Sequence, residues 1–369
     1  MVSITVPVGN LPHKPTLQNP RLHRVPRTPP TEPQRVTIKE IAQMCGVSVQ
    51  TISRVINGRP DVSPATRAAV EAAIAAVGFQ PSAVARSLVQ RRSTTLGVIA
   101  AGLRYFGVAQ TLNGITEESE ASGYALLLKE VPSTGDLDLL PVINFLMAHR
   151  VEGIVVAAPD RHESDVRGNL PMFAPPIVFL KSEPSPMFST ILIDNYGGGR
   201  QATSHLVALG RRRIAHLAGP RDWQEARDRH QGWRDTLRDA GLEPGPLAVG
   251  NWSAASGALE MARLLDEEPE LDAVFAANDQ MALGAMSVLR SRGRTIPEQV
   301  AVVGFDGLEE AAYFRPSLTT VRQPLRELGQ LAVRELLATV NGAAPRPSVH
   351  ALTLATELIV RDSAPRAAS

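Results

Sequence analysis

The stretch "GVSVQTISRVINGRPDVSP", residues 46 to 64, sets Gln50, Ser53 and Arg54 on a short amphipathic run. These side chains suit the reading of DNA base edges. A glutamine amide pairs twice with adenine and an arginine fork twice with guanine, each good pair discriminating by roughly 1–3 kcal/mol. A solvated helix face accounts for the same residues by themselves. A second set, Ala157, Lys181, Asn278 and Asp306, stands where apolar runs stop. In parallel α/β sheets, ligands bind beyond the carboxyl ends of the strands. Asp and Asn at such places also cap helices. Capping is the expectation for Asp279, while Asp306, followed by Gly307, is left open between cap and ligand contact.

Catalytic patterns are missing from the sequence. There is no Gly-x-Ser-x-Gly elbow, His-Glu-x-x-His pair or Walker lysine loop. The eight histidines form no ligand-spaced cluster, and His205 and His216 read as helix-surface and strand-edge residues. "YGGGRQ" (196 to 201) lacks dinucleotide-loop spacing and reads as the start of a helix. The expectation is a protein that is not an enzyme and needs no metal and no cofactor.

The elements that position the first set are legible. Thr37 to Glu40 fits a capping box, Ile38, Ile41, Ala42 and Cys45 recur at helical spacing, and Gly46 supplies the stop. Ser48 caps a second helix through Val49, Ile52, Val55 and Ile56, which ends at Asn57 and Gly58. The Gly-Val-Ser connection between them is that of a helix-turn-helix. Ser63 and Pro64 open a third helix running to Gly78. Beyond Thr94, runs such as "TLGVIAA", "YALLLKEV", "EGIVVAA", "PIVFL" and "VAVVGFD" read as strands buried on both faces. They alternate with helical stretches, which predicts α/β architecture with doubly wound parallel sheets, split by size into two lobes.

Composition sets the outer limits. The 369 residues exceed one domain and are 44% hydrophobic, enough for a sizeable core. No apolar run is long enough to span a membrane, and the first thirty residues show no signal-peptide pattern, so a cytoplasmic protein is expected. A single cysteine, Cys45, excludes an internal disulfide framework. The net charge of +1 conceals a division. Residues 1–95 carry 12 Lys/Arg against 4 Asp/Glu, and the remainder 26 against 33. A polyanion-seeking front module thus precedes a mildly acidic body. Residues 1–34 hold eight prolines and no hydrophobic periodicity, and read as a disordered basic tail.

Residues 36 to 97 resemble the headpiece of the lactose/galactose repressor family, nearly feature for feature. The resemblance implies DNA contacts by Thr37, Ser48, Val49, Gln50, Thr51, Ser53, Arg54 and Asn57. "PSAVARSLVQRRSTTLG" (81 to 97) is similar to the family's hinge, a helix too short to be stable alone. There Leu88 would wedge into the minor groove beside Val84 and Ala85, with Arg86, Arg91 and Arg92 near phosphates. The domain expectation is a tail (1–34), a helix-turn-helix domain (35–81), a hinge (82–94) and an effector-binding and dimerisation domain (95–369).

The resemblance continues through "HLVALGRRRIAHLAGP", "GNWSAASG", "ANDQMALGAM" and "VVGFDGLEEAAYFRPSLTTVRQPLRELGQ", which are similar to the family's effector domain of periplasmic sugar-binding fold. It implies that Arg229, Asn278 and Asp306 bond ligand hydroxyls, that Gln323 reaches the ligand from a crossover, and that Trp252 walls a sugar face. Trp252 also fits a local core plug, as Trp233 does. Tyr105 and Phe106 match aromatic positions of the first lobe, though core packing would explain them too. Two positions depart from the family's lactose-responsive member: Lys181 replaces an aspartate and Ala157 an asparagine. A cation there removes an acceptor and invites an anionic group.

The implied function is a ligand-responsive transcriptional regulator, a repressor of sugar-catabolism genes. It would bind a pseudo-palindromic double-stranded operator as a homodimer under control of a small sugar or sugar derivative. The end "RDSAPRAAS" lacks a leucine repeat, in keeping with a dimer. A transported-sugar receptor is the rival without DNA, and an enzyme is the other.

Overall fold

The structure, a computed structural model, describes residues 36–56, 58–79, 93–133, 138–158, 166, 168–171, 173–181, 183–342 and 349–366, with Lys181 described by its backbone alone. The expected tail, the hinge residues Val84, Ala85 and Leu88, and Asn57 lie outside the described residues. The chain divides into two compact units, Met1–Ser82 and Ala83–Ser369.

Among the described residues the first unit is three helices. In α1 (Ile38–Cys45) the capping box forms, with the Glu40 carboxylate accepting the Thr37 amide at 2.6 Å and Thr37 Oγ1 accepting the Glu40 amide at 3.4 Å. Those hydrogen bonds hold the Glu40 carboxyl below its ordinary range. Gly46 takes φ 63° and ends the helix, a conformation that costs glycine nothing. The Ser48 hydroxyl caps α2 (Val49–Ile56) by accepting the Thr51 amide at 3.0 Å. Ser63 does the same for α3 (Pro64–Ala76) through Thr66. Ile41, Ala42, Ile52, Val55, Val62 and Val70 are buried between the three. Burying each of the larger side chains contributes roughly 1.5–3 kcal/mol, which offsets the ordering of elements too short to persist alone.

The second unit has two lobes, each built on a six-stranded sheet. The first lobe contains β1 (Thr95–Ala101), α4 (Phe106–Ala121), β2 (Ala125–Val131), α5 (Leu140–Ala148), β3 (Gly153–Ala157), β4 (Ile177–Lys181) and β5 (Ser189–Ile193). The second contains α6 (Asn195–Ala208), β6 (Ile214–Ala218), α7 (Gln224–Asp239), β7 (Leu247–Val249), α8 (Ala254–Glu267), β8 (Ala273–Ala276), α9 (Asp279–Ser291), β9 (Ala301–Asp306) and β10 (Thr319–Arg322). The chain returns to the first lobe for α10 (Leu325–Val340) and β11 (Ala351–Leu354), and closes in the second with β12 (Glu357–Ile359). It therefore passes between lobes after β5, after β10 and after β11. The orders are β11-β5-β4-β3-β1-β2 and β12-β10-β9-β8-β6-β7. All pairs are parallel except β10 with β12.

Central strands read as expected, with β6 and β9 buried along their whole length. "YALLLKEV" does not. β2 lies at a sheet edge and exposes Leu128, Lys129 and Glu130, because an apolar run reports hydrophobicity and not the number of neighbouring strands. His216 also departs from expectation. It lies fully buried on β6, stacked between His230, Trp233 and Phe275, with Nδ1 on the Phe275 carbonyl at 2.9 Å. Burial pushes its pKa down to about 3, so the ring packs as a neutral aromatic. Helices α4 and α10, both of the first lobe, approach so closely at the middle of α4 that a Cβ on Gly114 would lie 2.0 Å from the Arg326 carbonyl oxygen.

Candidate functional site

On the first unit, α2 presents Val49, Gln50 and Arg54 to solvent and buries Ile52 and Val55. Val49 is 44% exposed at the helix start, where an apolar side chain suits a thymine methyl. Arg54 Nε lies 3.4 Å from the exposed Asp61 carboxylate, an ion pair too solvated to hold the fold. Ser53 is half-buried. Ser48 and Thr51 share a hydroxyl contact at 2.9 Å, and Thr37 Oγ1 donates to Glu40 at 2.9 Å. Thr37 and Ser48 thus serve as caps in the free protein.

In the second unit the expected ligand residues converge on a cavity of about 790 Å³ between the lobes. Its floor is a buried polar cluster. Arg229, from α7, donates through Nε to Asn195 Oδ1 at 2.8 Å. Its Nη1 donates to the Ala277 carbonyl at 2.6 Å and to Asp306 Oδ1 at 3.3 Å. Gln323, on the crossover after β10, donates to the same Asp306 oxygen at 2.7 Å. Both bonds fall on Oδ1, so Asp306 Oδ2 keeps its lone pairs for a ligand. Arg229 Nη2 likewise has no partner among the described residues. The guanidinium also lies 3.9 Å from the Phe305 ring centroid and 5.5 Å from that of Trp252.

Burial dominates the electrostatics. It pushes Asp306 up to about 6, against the pull of Arg229 and Gln323, and pushes Arg229 down against the pull of Asp306. At neutral pH the pair is still ionised. The floor therefore offers an open acceptor beside an open donor, the combination that neighbouring hydroxyls satisfy.

Asn278 caps α9 by accepting the Met281 amide at 2.9 Å, and spends its amide hydrogens on the Trp252 carbonyl at 3.0 Å and Gln280 at 2.8 Å. It faces the cavity, and its amide is committed to holding the Trp252 turn. Asp279 is not the cap that the sequence suggests. It is fully buried at the first position of α9, where Oδ2 accepts the Gly307 and Leu308 amides at 3.0 and 2.8 Å and Oδ1 accepts from Thr320 Oγ1 at 2.6 Å. It ties together the segments that carry Asn278, Asp306 and Gln323. Trp252 (φ 71°) and Asp306 (φ 102°) hold backbone conformations that cost non-glycine residues about 1–3 kcal/mol each. Tethers of this kind are what maintain them.

Burial and Asp306 together push the Asp279 carboxyl up to about 8, well above the ordinary 3.8. An unfolded aspartate loses its proton near that ordinary value. The contribution to stability is thus fully present in acid and lost as pH rises through about 8. The unaltered protein should lose melting temperature as pH rises from about 4 to about 8, and Asp279→Asn, which keeps an acceptor for both amides, should flatten that decline. Parallel pH–stability curves for the two proteins would mean that Asp279 is ionised throughout.

The cavity walls are apolar and aromatic. Trp252 is both core and wall: it is 9% exposed, packs over Gly219 and lines the cavity. Tyr105 and Phe106 line it from the start of α4. Ala157 ends β3 at the cavity, and the Lys181 backbone ends β4. Among the lining residues that the sequence analysis did not single out are Asn195 and Trp223. Asn195 stands two residues past β5, within reach of the strand-end rule, whereas Trp223 lies five residues past β6 at the start of α7, where no strand-end signal marks it.

The comparisons follow this division of the chain. Residues 37–82 match the family described as bacterial regulatory proteins, lacI family, and residues 203–364 match a periplasmic binding protein-like domain. The chain is 37% identical over 340 residues to the HTH-type transcriptional regulator CelR of Thermobifida fusca, covering 89% of this chain and 98% of that one. The chain belongs to the LacI family. It is also 34% identical to the lactose operon repressor of Escherichia coli K12 over 309 residues, 84% of this chain and 86% of that one. A solved lac repressor dimer bound to operator and the anti-inducer ONPF superposes with a TM-score of 0.83 at 32% identity, covering 90% of this chain and all of that one. A CelR–cellobiose complex superposes at 0.66 with 35% identity, covering 89% of this chain and all of that one. As a LacI-family protein the chain is a transcriptional regulator, with its DNA-binding fold in the first unit. Among the described residues, no helix is long and apolar enough to cross a membrane.

Proposed function

We propose that this LacI-family regulator is a cytoplasmic homodimer that binds a pseudo-palindromic operator and lets go of it, or grips it, according to a small sugar or sugar derivative in the interlobe cavity. The floor carries this reading: an open carboxylate oxygen beside an open guanidinium nitrogen, under an aromatic wall. Sugars present paired hydroxyls at their edges and C–H surfaces on their faces, and this lining meets both. Val49, Gln50 and Arg54 read base edges, with Thr51 and Ser53 beside them. Two-fold symmetry of the protein requires matching half-sites in the DNA. Coupling between the two sites is of the usual 1–3 kcal/mol and reciprocal, so operator DNA alters effector affinity by the same factor.

An anionic effector, which Lys181 invites, finds less support. Among the described lining side chains Arg104, Arg227 and Arg229 face Glu183, Asp222, Glu225 and Asp306. That balance favours a neutral polyol.

A thermal-shift screen of sugars, sugar acids and sugar phosphates tests the reading, because a ligand specific to the native state raises its melting temperature. Neutral sugars should give the shift. Their affinity should be level above pH 7 and fall as pH drops through about 6, where Asp306 takes up a proton and loses its acceptor. Preference for sugar acids, or affinity unchanged from pH 7 to 5, would remove Asp306 as the acceptor.

A further inference from the structure

We propose that Asn195 positions Arg229 for the effector, and that Thr356, outside the cavity, positions Asn195. Two of the places where the chain passes between the lobes, after β5 and after β11, are thereby tied to one guanidinium. The inference rests on the effector reading of the cavity and assigns how its floor is held.

The ion pair does not set the guanidinium by itself. Its contact, from Nη1 to Asp306 Oδ1, is 3.3 Å and the longest of the bonds that Arg229 makes among the described residues. The bond to the Asn195 carbonyl oxygen is 2.8 Å and falls on Nε, the nitrogen nearest the side-chain stem. A guanidinium is a rigid planar fork, so holding Nε fixes where the other two nitrogens point. With Nη1 spent on Ala277 and Asp306, it is Nη2 that is left to meet a ligand. Asn195 has little to offer a ligand directly. It is 3% exposed, and its amide nitrogen donates to the Ile193 carbonyl at 3.2 Å, at the end of β5. Its effect on the effector therefore runs through Arg229.

Close packing brings the two residues together. A Cβ on Gly199 would lie 2.5 Å from the Arg229 carbonyl oxygen, and one on Gly232 2.4 Å from that of Tyr196, so α6 and α7 meet backbone to backbone here. A Cβ on Gly198 would lie 2.7 Å from the Phe305 ring and 3.0 Å from Thr356 Oγ1. The glycine run of "YGGGRQ", locally no more than a helix start, is what permits these approaches.

Thr356 lies on the passage from β11 to β12, is 8% exposed and stands outside the lining. Its Oγ1 donates to the Asp194 carbonyl at 3.4 Å and accepts from Gln201 Nε2 at 3.1 Å, and Gln201 also donates to the Thr356 carbonyl at 3.2 Å. Asp194 in turn caps α6 by accepting the Gly197 amide at 2.7 Å. These bonds fix the backbone on which Asn195 stands. A shift of either passage as the lobes turn displaces Asn195, and the guanidinium turns with it.

The test uses the full chain. Exchange of the Arg229 Nε proton, followed by NMR of nitrogen-labelled protein and assigned by its loss in Arg229→Lys, reports on the bond itself and needs no ligand. Affinities are measured by calorimetry with glucose, galactose, mannose, lactose and cellobiose as probes. Asn195→Leu, of similar shape, should speed that exchange and weaken the best-bound probe, each by roughly tenfold or more. Thr356→Val should do both by roughly threefold or more, while Thr356→Ser, which keeps the hydroxyl, stays within about twofold of the unaltered protein. Circular dichroism melts identify a variant that has not folded; if Asn195→Leu is one, exchange in the two Thr356 variants decides. Unchanged exchange in folded Asn195→Leu, or weakened binding with the Arg229 proton still protected, overturns the role of Asn195. Equal behaviour of Thr356→Val and Thr356→Ser overturns that of Thr356. If no probe binds the unaltered protein, the sugar reading of the floor fails, and proton exchange still decides the role of Asn195.

Discussion

Arg229→Met is expected to lower the stability of the effector-binding unit by about 3–5 kcal/mol, a fall in melting temperature on the order of 10 °C. The physical cause is the group left behind. Arg229 and Asp306 have side chains 6% and 9% exposed, and removing the cation strands a buried carboxylate. Asn195 Oδ1 and the Ala277 carbonyl lose their donor at the same time. Replacing both partners behaves differently, because burial opposes the charge of each. Arg229→Met with Asp306→Asn should recover more than half of the lost stability, since the asparagine still accepts from Gln323. Neither protein should respond to effector, whereas Asp306→Ala alone should keep DNA binding and lose the response. Differential scanning calorimetry on the three variants checks the cycle. A single Arg229→Met change that melts within a degree of the unaltered protein would show that the ion pair does not hold the floor.

Arg54→Ala should have its large effect on DNA alone. The side chain is exposed and its ion pair with Asp61, the one among the described residues, is solvated, so stability should change by less than about 0.5 kcal/mol. Loss of one bidentate guanine contact costs roughly 1–3 kcal/mol per half-site, and a dimer loses it twice. Retardation of the operator fragment should fall to the level of random duplex at moderate salt, while the effector-induced thermal shift stays as before. Loss of both activities would indicate misfolding. Retained operator preference would transfer the reading of sequence to Val49 and Gln50.

The sequence determined by itself whatever depends on local pattern. The caps at Thr37, Ser48 and Ser63, the glycine stop at Gly46 and the helical spacing of Ile38, Ile41, Ile52 and Val55 act within one turn of the chain, so the headpiece was legible before any coordinate. Strand–helix alternation fixed the fold class, and of the residues the strand-end rule picked out, Ala157, Asn278 and Asp306 line the cavity. What lay beyond reach depends on which segments meet. Nothing local says that β2 is an edge and β6 a centre, or that His216 is a neutral core ring. Only packing turns Asp279 from an apparent cap into the tether of three segments, because its partners Gly307, Leu308 and Thr320 are remote in sequence. Tyr105 and Trp223 are ordinary aromatics until two lobes set them 5.1 Å apart. Caps and periodicities are encoded within a few residues, whereas a ligand site is made by contacts between distant ones, and those contacts exist only once the chain has folded.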